Sequence, residues 1–229
     1  ECLGFFQPTK IAKYRSTLKT NTFVCHQVLQ FSSYFRKFYF IAFEVEFTEE
    51  PKGYYQQYID QNKCSFIGIP VDKKYGSHFL RKLLERFYGI FKTIKQYRKE
   101  FDCIIVYEVD IYSQFMFFVC VFLGIPTFVW VGGDAVHGKS EGNKLNKGFK
   151  KFVESVRIRE IKVIRKLMFR LSDGIIVTGD HLQNSLKHYH KKLYNLIATS
   201  VSSREVDHRV LNLRYERTRD CMKILTVCT

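Results

Sequence analysis

The segment that decides the fold is residues 103–131, CIIVYEVDIYSQFMFFVCVFLGIPTFVWV. It opens with a short apolar run rich in β-branched residues, the pattern of a strand that is buried on both faces of a parallel sheet. Residues 113–123 are almost all apolar and predict a buried helix, which Gly124 and Pro126 terminate. Residues 127–131 predict a second buried strand. Two buried strands joined by a helix are typical of a parallel βαβ unit.

The same alternation continues on both sides of this unit. Residues 79–100 carry apolar side chains at helical spacing with Lys and Arg between them, which predicts an amphipathic helix. A second amphipathic helix is predicted over residues 149–171, then a strand over 174–178 and a short helix over 180–190. The spacing predicts that the following residues of the 149–171 helix face inward: Val153, Val156, Ile161, Ile164, Leu167 and Leu171. The predicted fold is α/β, a doubly wound, mainly parallel Rossmann-like sheet with helices on both faces.

The first third of the chain is less regular. Residues 38–47 and 65–69 predict further strands, and residues 10–36 predict one or two helices. A first strand is expected within residues 1–6 or before the point where this sequence begins. Trp130, inside a predicted buried strand, is expected in the sheet core.

Charge and cysteine content limit the class of protein. The 229 residues carry a formal net charge of +15, which predicts attraction to an anionic partner. Seven scattered cysteines, an odd number without a CxxC pair, indicate a reducing, cytoplasmic compartment and no structural zinc. A basic nucleic-acid-binding protein is an alternative, but no zinc-finger spacing, aromatic RNP-like box or basic arm supports it. No GxGxxG follows a predicted strand, which argues against a dinucleotide oxidoreductase.

The loop after residue 131 contains a second alternative. Its sequence Gly133-Asp-Ala-Val-His-Gly138-Lys139-Ser140 matches the phosphate-binding pattern GxxxxGK[ST] of nucleotide hydrolases. That chemistry needs a helix directly after the serine, so that its amino terminus faces the phosphates. The residues that follow, EGNKLNKG, contain two glycines and no apolar face, so the sequence does not predict a helix there.

A resemblance covers more of the chain. The motifs Phe101-Asp-Cys-Ile-Ile, Gly124-Ile-Pro before a strand that ends in Gly-Gly-Asp134, and Ser172-Asp-Gly-Ile-Ile-Val-Thr178 occur in the order seen in family-four glycosyltransferases, and the chain resembles that two-domain GT-B family. Residues 197–202, IATSVS, stand where the family has an iPNGVD motif, and KILTV at 223–227 stands where its second domain begins. The resemblance implies a fragment, with a Rossmann-like acceptor-side domain over residues 1–215. Residues 216–229 would be a linker and the first strand of a truncated donor-binding domain.

The resemblance also implies a function. The chain would take part in sugar transfer from a nucleotide sugar to an acceptor, with retention of configuration and without a metal or other cofactor. The acceptor would be a lipid-linked or cell-envelope glycan rather than nucleic acid. In such sheets ligands bind beyond the carboxyl ends of the strands. The alternative roles of the residues in those loops are turn formation, helix capping and exposure to solvent. The candidate acceptor-binding residues there are Glu108, Asp110, Gly132, Gly133, Asp134, His137 and Lys139.

The basic residues are concentrated in one segment. Residues 139–170 hold eleven Lys and Arg against three Glu, a net charge of +8. A basic amphipathic helix can rest on an anionic membrane surface, which predicts a cytoplasmic protein that is peripheral on the inner membrane face. The alternative is a solvated helix that is merely basic. The residues predicted to face the membrane are Arg157, Lys162, Arg165 and Lys166.

Overall fold

A computed structural model describes residues 2–21, 24–25, 28, 32, 34–51, 53, 57–71, 79–108, 110–133, 148–189 and 192–195. These residues form one nine-stranded sheet with helices packed against it. The strands are β1 (Cys2–Tyr14), β2 (Thr17–Thr20), β3 (Lys37–Glu46), β4 (Gln57–Tyr58), β5 (Ser65–Pro70), β6 (Cys103–Tyr107), β7 (Thr127–Val131), β8 (Gly174–Val177) and β9 (Leu193–Asn195). The helices are α1 (Phe79–Tyr97), continued by a 3₁₀ turn (Arg98–Glu100), α2 (Ile111–Phe122), α3 (Gly148–Leu171) and α4 (Asp180–Leu186).

The sheet is doubly wound. Seven strands are parallel in the spatial order β5-β3-β1-β6-β7-β8-β9, so the chain starts at the centre, builds to one side and then crosses to the other. The strand β2 pairs antiparallel with β1, and the two-residue strand β4 pairs antiparallel with β2. The prediction of an α/β fold with a mainly parallel sheet is therefore confirmed.

The strand β1 is longer than its neighbour β6, and its pairing with β3 shifts register between Phe6 and Lys10. Before the shift, β1 pairs with β3 on one side and β6 on the other. Beyond it, β3 pairing continues, while Ala12 to Tyr14 pair with β2. The turn between β1 and β2 places Arg15 at φ 52°, in the left-handed region. The hairpin therefore extends β1 past the carboxyl end of β6.

Apolar side chains cover both faces of the sheet. On one face, strand residues pack against all four helices, with Ile90 of α1, Phe117 of α2 and Met168 of α3 fully buried. On the other face, Phe5 and Phe40 pack with Trp130, and Val24 and Val28, which have helical backbone, join this cluster. Since helical residues lie against both faces, the predicted layering is confirmed, and Trp130 lies in the sheet core as expected.

The predicted helix over residues 10–36 is wrong in its first part. Residues 10–14 belong to β1 and residues 17–20 form β2. The local pattern of apolar and basic residues has no clear period of two, but pairing with β3 and β2 holds the segment extended. Strand formation depends on partners distant in sequence, which a local pattern does not report. Residues 197–202 and 223–227, and hence the predicted domain boundary, lie outside the described residues.

The predicted orientation of α3 is wrong for four of its six residues, because Val153, Val156, Leu167 and Leu171 are exposed. Ile161 and Ile164 are half-buried, and Ile164 packs against the core as predicted. The buried residues of this helix in the described structure are Ile158, Arg165, Met168 and Phe169. The helix has apolar residues on two sides, so apolar spacing alone did not distinguish the side that packs on the sheet.

Candidate functional site

An open cleft of about 770 Å³ lies at the carboxyl edge of the sheet, between the ends of β3 and β5 and the first half of α1. Ligands of open α/β sheets bind at this edge. The lining carries three carboxylates and two cations, so the cleft is polar and of mixed charge. The lining residues are Glu44, Glu46, Thr48, Pro70, Val71, Lys82, Glu85 and Arg86.

Arg86 is held by aromatic side chains. Its guanidinium carbon lies 5.5 Å from the ring centre of Phe43 and 5.2 Å from that of Tyr112, and its Nη1 donates a 2.8 Å hydrogen bond to the Tyr112 hydroxyl. The Phe43 and Tyr112 rings contact each other edge to face at 5.2 Å. The Nε of Arg86 is buried and has no hydrogen-bond partner within the described part of the chain. This packing fixes a cation at the cleft wall.

Glu44 brings a carboxylate to the opposite side of the cleft. Lys13 on the β1 extension donates to its Oε1 at 3.1 Å and lies 3.7 Å from Glu46. The hydrogen bond and charge of Glu44 raise the pKa of Lys13. On the neighbouring strand, a Cβ at Gly68 would lie 2.5 Å from a Glu44 carboxylate oxygen. The absence of a side chain at Gly68 therefore makes room for Glu44.

Asp110 caps helix α2 and interacts electrostatically with Arg86, which lines the cleft. Its Oδ1 accepts hydrogen bonds from the backbone N–H of Tyr112 at 2.9 Å and of Ser113 at 3.0 Å. Burial raises the pKa of Asp110, while these hydrogen bonds and the charge of Arg86 oppose the shift. The capping role, which the sequence left open as an alternative, is observed; a contact of Asp110 with an acceptor stays a prediction.

Glu108 and Arg165 form an ion pair that the sequence did not suggest. Arg165 Nε donates to Glu108 Oε2 at 3.0 Å, and the two side chains are 9% and 11% exposed. The guanidinium also lies over the Phe169 ring, 5.3 Å from its centre. The placement of Arg165 on a membrane-facing surface is therefore corrected, because its side chain is turned toward the sheet and occupied by Glu108. Arg157, Lys162 and Lys166 are exposed, as their predicted role requires.

The two glycines after β7 differ. A Cβ at Gly132 would lie 2.4 Å from the Tyr107 hydroxyl oxygen and 2.6 Å from the nearest carbon of its ring, whereas nothing lies within 4 Å of a Cβ at Gly133. Tyr107 in turn packs on Trp130, with ring centres 5.0 Å apart. The close approach at Gly132 is thus to a neighbouring side chain. Asp134, His137, Lys139 and the rest of the phosphate-binding pattern through Ser140 lie outside the described residues.

Sequence reasoning missed the residues that line the cleft. Glu44 and Glu46 gave a usable signal, because they are charged residues within the otherwise apolar run of residues 38–47. Arg86 gave none, since it is one of several cations on an amphipathic helix. Only its packing between Phe43 and Tyr112 distinguishes it.

The described residues contain neither a cluster suited to a metal ion nor a helix that could span a membrane. No group of three or more His, Cys, Asp or Glu side chains there is arranged to hold a metal ion. Among the same residues, no helix has the length and apolar character that a bilayer span requires.

Among known proteins, this chain is similar to solved structures, and the similarity is one of structure. No protein-family model matches the chain, and no curated protein does. A UGT transferase from Siraitia grosvenorii, solved in complex with UDP, is 10% identical, with a TM-score of 0.49 over 85% of this chain and 50% of that one. A UGT protein from Glycyrrhiza uralensis, complexed with glycyrrhetinic acid 3-O-monoglucuronide, is 13% identical, with a TM-score of 0.44 over 85% of this chain and 48% of that one.

The chain therefore spans about half the length of these two similar structures. Similarity at this identity concerns the fold alone. The family-four assignment, the substrates and the stereochemistry stay predictions.

Proposed function

We propose that this chain is the acceptor-side part of a glycosyltransferase. It binds an acceptor glycan, lipid-linked or of the cell envelope, whose hydroxyl group receives a sugar from a nucleotide sugar with retention of configuration. The observation that supports this most directly is the cleft at the carboxyl edge, where Glu44 and Glu46 lie across from Lys82 and Arg86. The order of motifs that resembles family-four glycosyltransferases supports it independently.

The lining of the cleft suits a phosphorylated saccharide. Carboxylates accept hydrogen bonds from sugar hydroxyls, and a guanidinium can donate two parallel hydrogen bonds to a phosphate. Its volume of about 770 Å³ falls within the range of about 300–1,000 Å³ that is usual for small-ligand sites. A glycan that is attached to a lipid through phosphate offers hydroxyls and an anion together, which matches both kinds of lining residue.

The proposed reaction is a single group transfer. A bond forms between the acceptor oxygen and the anomeric carbon of the donor sugar, and the bond from that carbon to the diphosphate breaks. The acceptor hydroxyl proton goes to the departing phosphate oxygen, and a nucleoside diphosphate leaves. In this proposal Glu44 and Arg86 orient the acceptor, while the predicted donor-binding domain holds the nucleotide sugar. Orientation of this kind lowers the entropic part of the barrier.

Binding of simple probes tests the acceptor site. Ligand-observed NMR on the 229-residue chain would measure binding of glucose 1-phosphate and octyl β-glucoside. Arg86→Gln should weaken the phosphorylated probe about tenfold or more, because a charge-assisted hydrogen bond is lost. Glu44→Gln should weaken both probes. The matched control is Lys92→Gln, which removes an exposed cation from the same helix outside this cleft and should change neither affinity.

Three results would contradict the proposal. The first is wild-type protein that binds neither probe, and the second is binding that Arg86→Gln and Lys92→Gln reduce equally. The third is ATP hydrolysis by the wild-type chain that Lys139→Ala abolishes, which would favour the nucleotide-hydrolase alternative. Circular dichroism of each variant would separate lost binding from lost folding.

A further inference from the structure

Helix α3 turns one side to the sheet and leaves an apolar side in solvent. Its buried residues, Ile158, Arg165, Met168 and Phe169, recur at helical spacing and define the inward side. On the opposite side lies an apolar stripe of large side chains that stay exposed. The stripe consists of Phe152 at 65%, Val156 at 44%, Val163 at 63% and Leu167 at 46% exposure.

The stripe is continuous along the helix. Steps of four, seven and four residues separate its members, so at 100° per residue they lie within about 60° of one another around the helix axis. Their centre is about 180° from the centre of the inward side. Val163 and Leu167 are therefore not residues at the margin of the core; they point directly away from the sheet.

Cations border the stripe along one edge. At the same helical spacing, Arg159, Lys162 and Lys166 lie between the stripe and the inward side, and Arg170 lies level with Phe152 at the edge of the stripe. The exposed Glu160 lies at the opposite edge of the stripe. Three of these cations line a groove of about 410 Å³ next to α4. The helix thus presents an apolar strip with a positively charged margin.

We propose that this face of α3 docks on the surface of an anionic lipid bilayer, with the helix axis parallel to the membrane plane. The apolar stripe would enter the boundary between headgroups and acyl chains, and the cations would contact the lipid phosphates. The inference differs from the prediction made from the sequence in two ways: the stripe includes Val156 and Leu167, which were predicted to face inward, and Arg165 has no part in the surface. It goes beyond the proposed function and does not depend on it.

Charge complementarity favours a lipid surface over other occupants. A second copy of this chain would bring an identical row of cations, on a protein of net charge +15, against the first. A nucleic acid would satisfy the cations and leave four large apolar side chains without an apolar partner. An anionic bilayer supplies an apolar layer directly beneath a negatively charged one.

Vesicle flotation tests the proposal. The 229-residue chain is mixed with phosphatidylcholine vesicles, with or without about 30% phosphatidylglycerol, and wild-type protein should float with the anionic vesicles alone. Val163→Ser combined with Leu167→Ser should lower the partition coefficient about tenfold or more. Lys162→Gln combined with Lys166→Gln should lower it about 25-fold, from a loss of about fivefold for each cation. The matched control is Leu80→Ser with Leu84→Ser, equally exposed leucines on α1, and should retain binding within about twofold.

Several outcomes would overturn the proposal. The first is that wild-type protein does not float, or floats equally well with neutral vesicles. The second is that neither double variant of α3 reduces binding to anionic vesicles. Loss of binding in the Leu80 and Leu84 control would move the membrane face to α1. A concentration-dependent dimer in sedimentation, dissociated by the Val163 and Leu167 substitutions without any vesicle binding, would show that a second copy covers the stripe.

Discussion

The buried Glu108–Arg165 pair gives the sharpest prediction. Replacing Arg165 by Gln removes the positive charge and leaves Glu108, whose side chain is 11% exposed, without the cation that now lies 3.0 Å away. Loss of one partner from a buried ion pair costs about 3–5 kcal/mol of unfolding free energy, because the remaining charge stays desolvated. For a chain of this size each kcal/mol corresponds to about 2–4 °C in Tm, so we expect a decrease of about 6–20 °C.

The same helix supplies the control. Arg157 pairs with Glu154 at 3.9 Å, but its side chain is 64% exposed, and such a surface pair is worth about 0–1 kcal/mol. Arg157→Gln should therefore leave the urea midpoint almost unchanged. Combining Arg165→Met with Glu108→Gln should recover most of the loss caused by Arg165→Met alone, since no unpaired charge remains buried.

The measurement is urea unfolding monitored by circular dichroism for the wild type, Arg165→Gln and Arg157→Gln. The double-mutant cycle consists of Arg165→Met, Glu108→Gln and the variant that combines them. Equal stability losses for Arg165→Gln and Arg157→Gln would refute the reasoning. So would a double variant in which the two losses simply add, because contacting charges must show a coupling energy.

Four further predictions concern individual residues. Gly132→Ala should cost about 1–3 kcal/mol by displacing the Tyr107 ring, while Gly133→Ala, with free space at its Cβ, should change stability by less than about 0.5 kcal/mol; equal urea midpoints would contradict this. Asp110→Ala should lose about 0.5–2 kcal/mol with the helix cap. Because burial raises the pKa of Asp110, the folded state favours the protonated carboxyl group at this position. The stabilisation is present at low pH and is lost as the pH rises through the pKa of Asp110 in the folded state. The stability of Asp110→Asn relative to the wild type should thus rise between about pH 3 and pH 7, and a constant difference would argue against the shift. Burial raises the pKa of Cys64 to about 12 and also raises that of Cys120, so iodoacetamide at about pH 8 should modify neither in the folded chain and both in urea; mass spectrometry would detect early labelling that disproves this.

The central strands could be predicted because the composition of each segment alone indicates a buried strand. A run such as CIIVY at residues 103–107 is too apolar and too β-branched for a solvated helix, and alternation with helical patterns predicts parallel pairing. The structure confirms β6, β7 and β8 within one residue of the predicted bounds. The same approach failed for the end of β1, because those residues become a strand through pairing with β2 and β3.

The candidate site could be predicted as a region, and only partly as residues. Knowledge that ligands bind at the carboxyl edge pointed to Glu108, Asp110 and the Gly132 turn. The structure shows Asp110 as a helix cap and pairs Glu108 with Arg165, and it adds Arg86 from a helix that the sequence marked as an ordinary amphipathic surface. Residues 20 to 60 positions apart meet there, and no local spacing reports such meetings.

The amino-acid sequence by itself determined the α/β class, the strands of the carboxyl-terminal half and the basic character of α3, because these depend on the period and composition of neighbouring residues. The tertiary structure alone decided which side of α3 is buried and that Arg165 is an inward partner of Glu108. It also decided that Glu44 and Arg86 line one cleft. Burial and ion pairing depend on what each side chain meets in space, and in a doubly wound sheet most of those partners are far away in sequence.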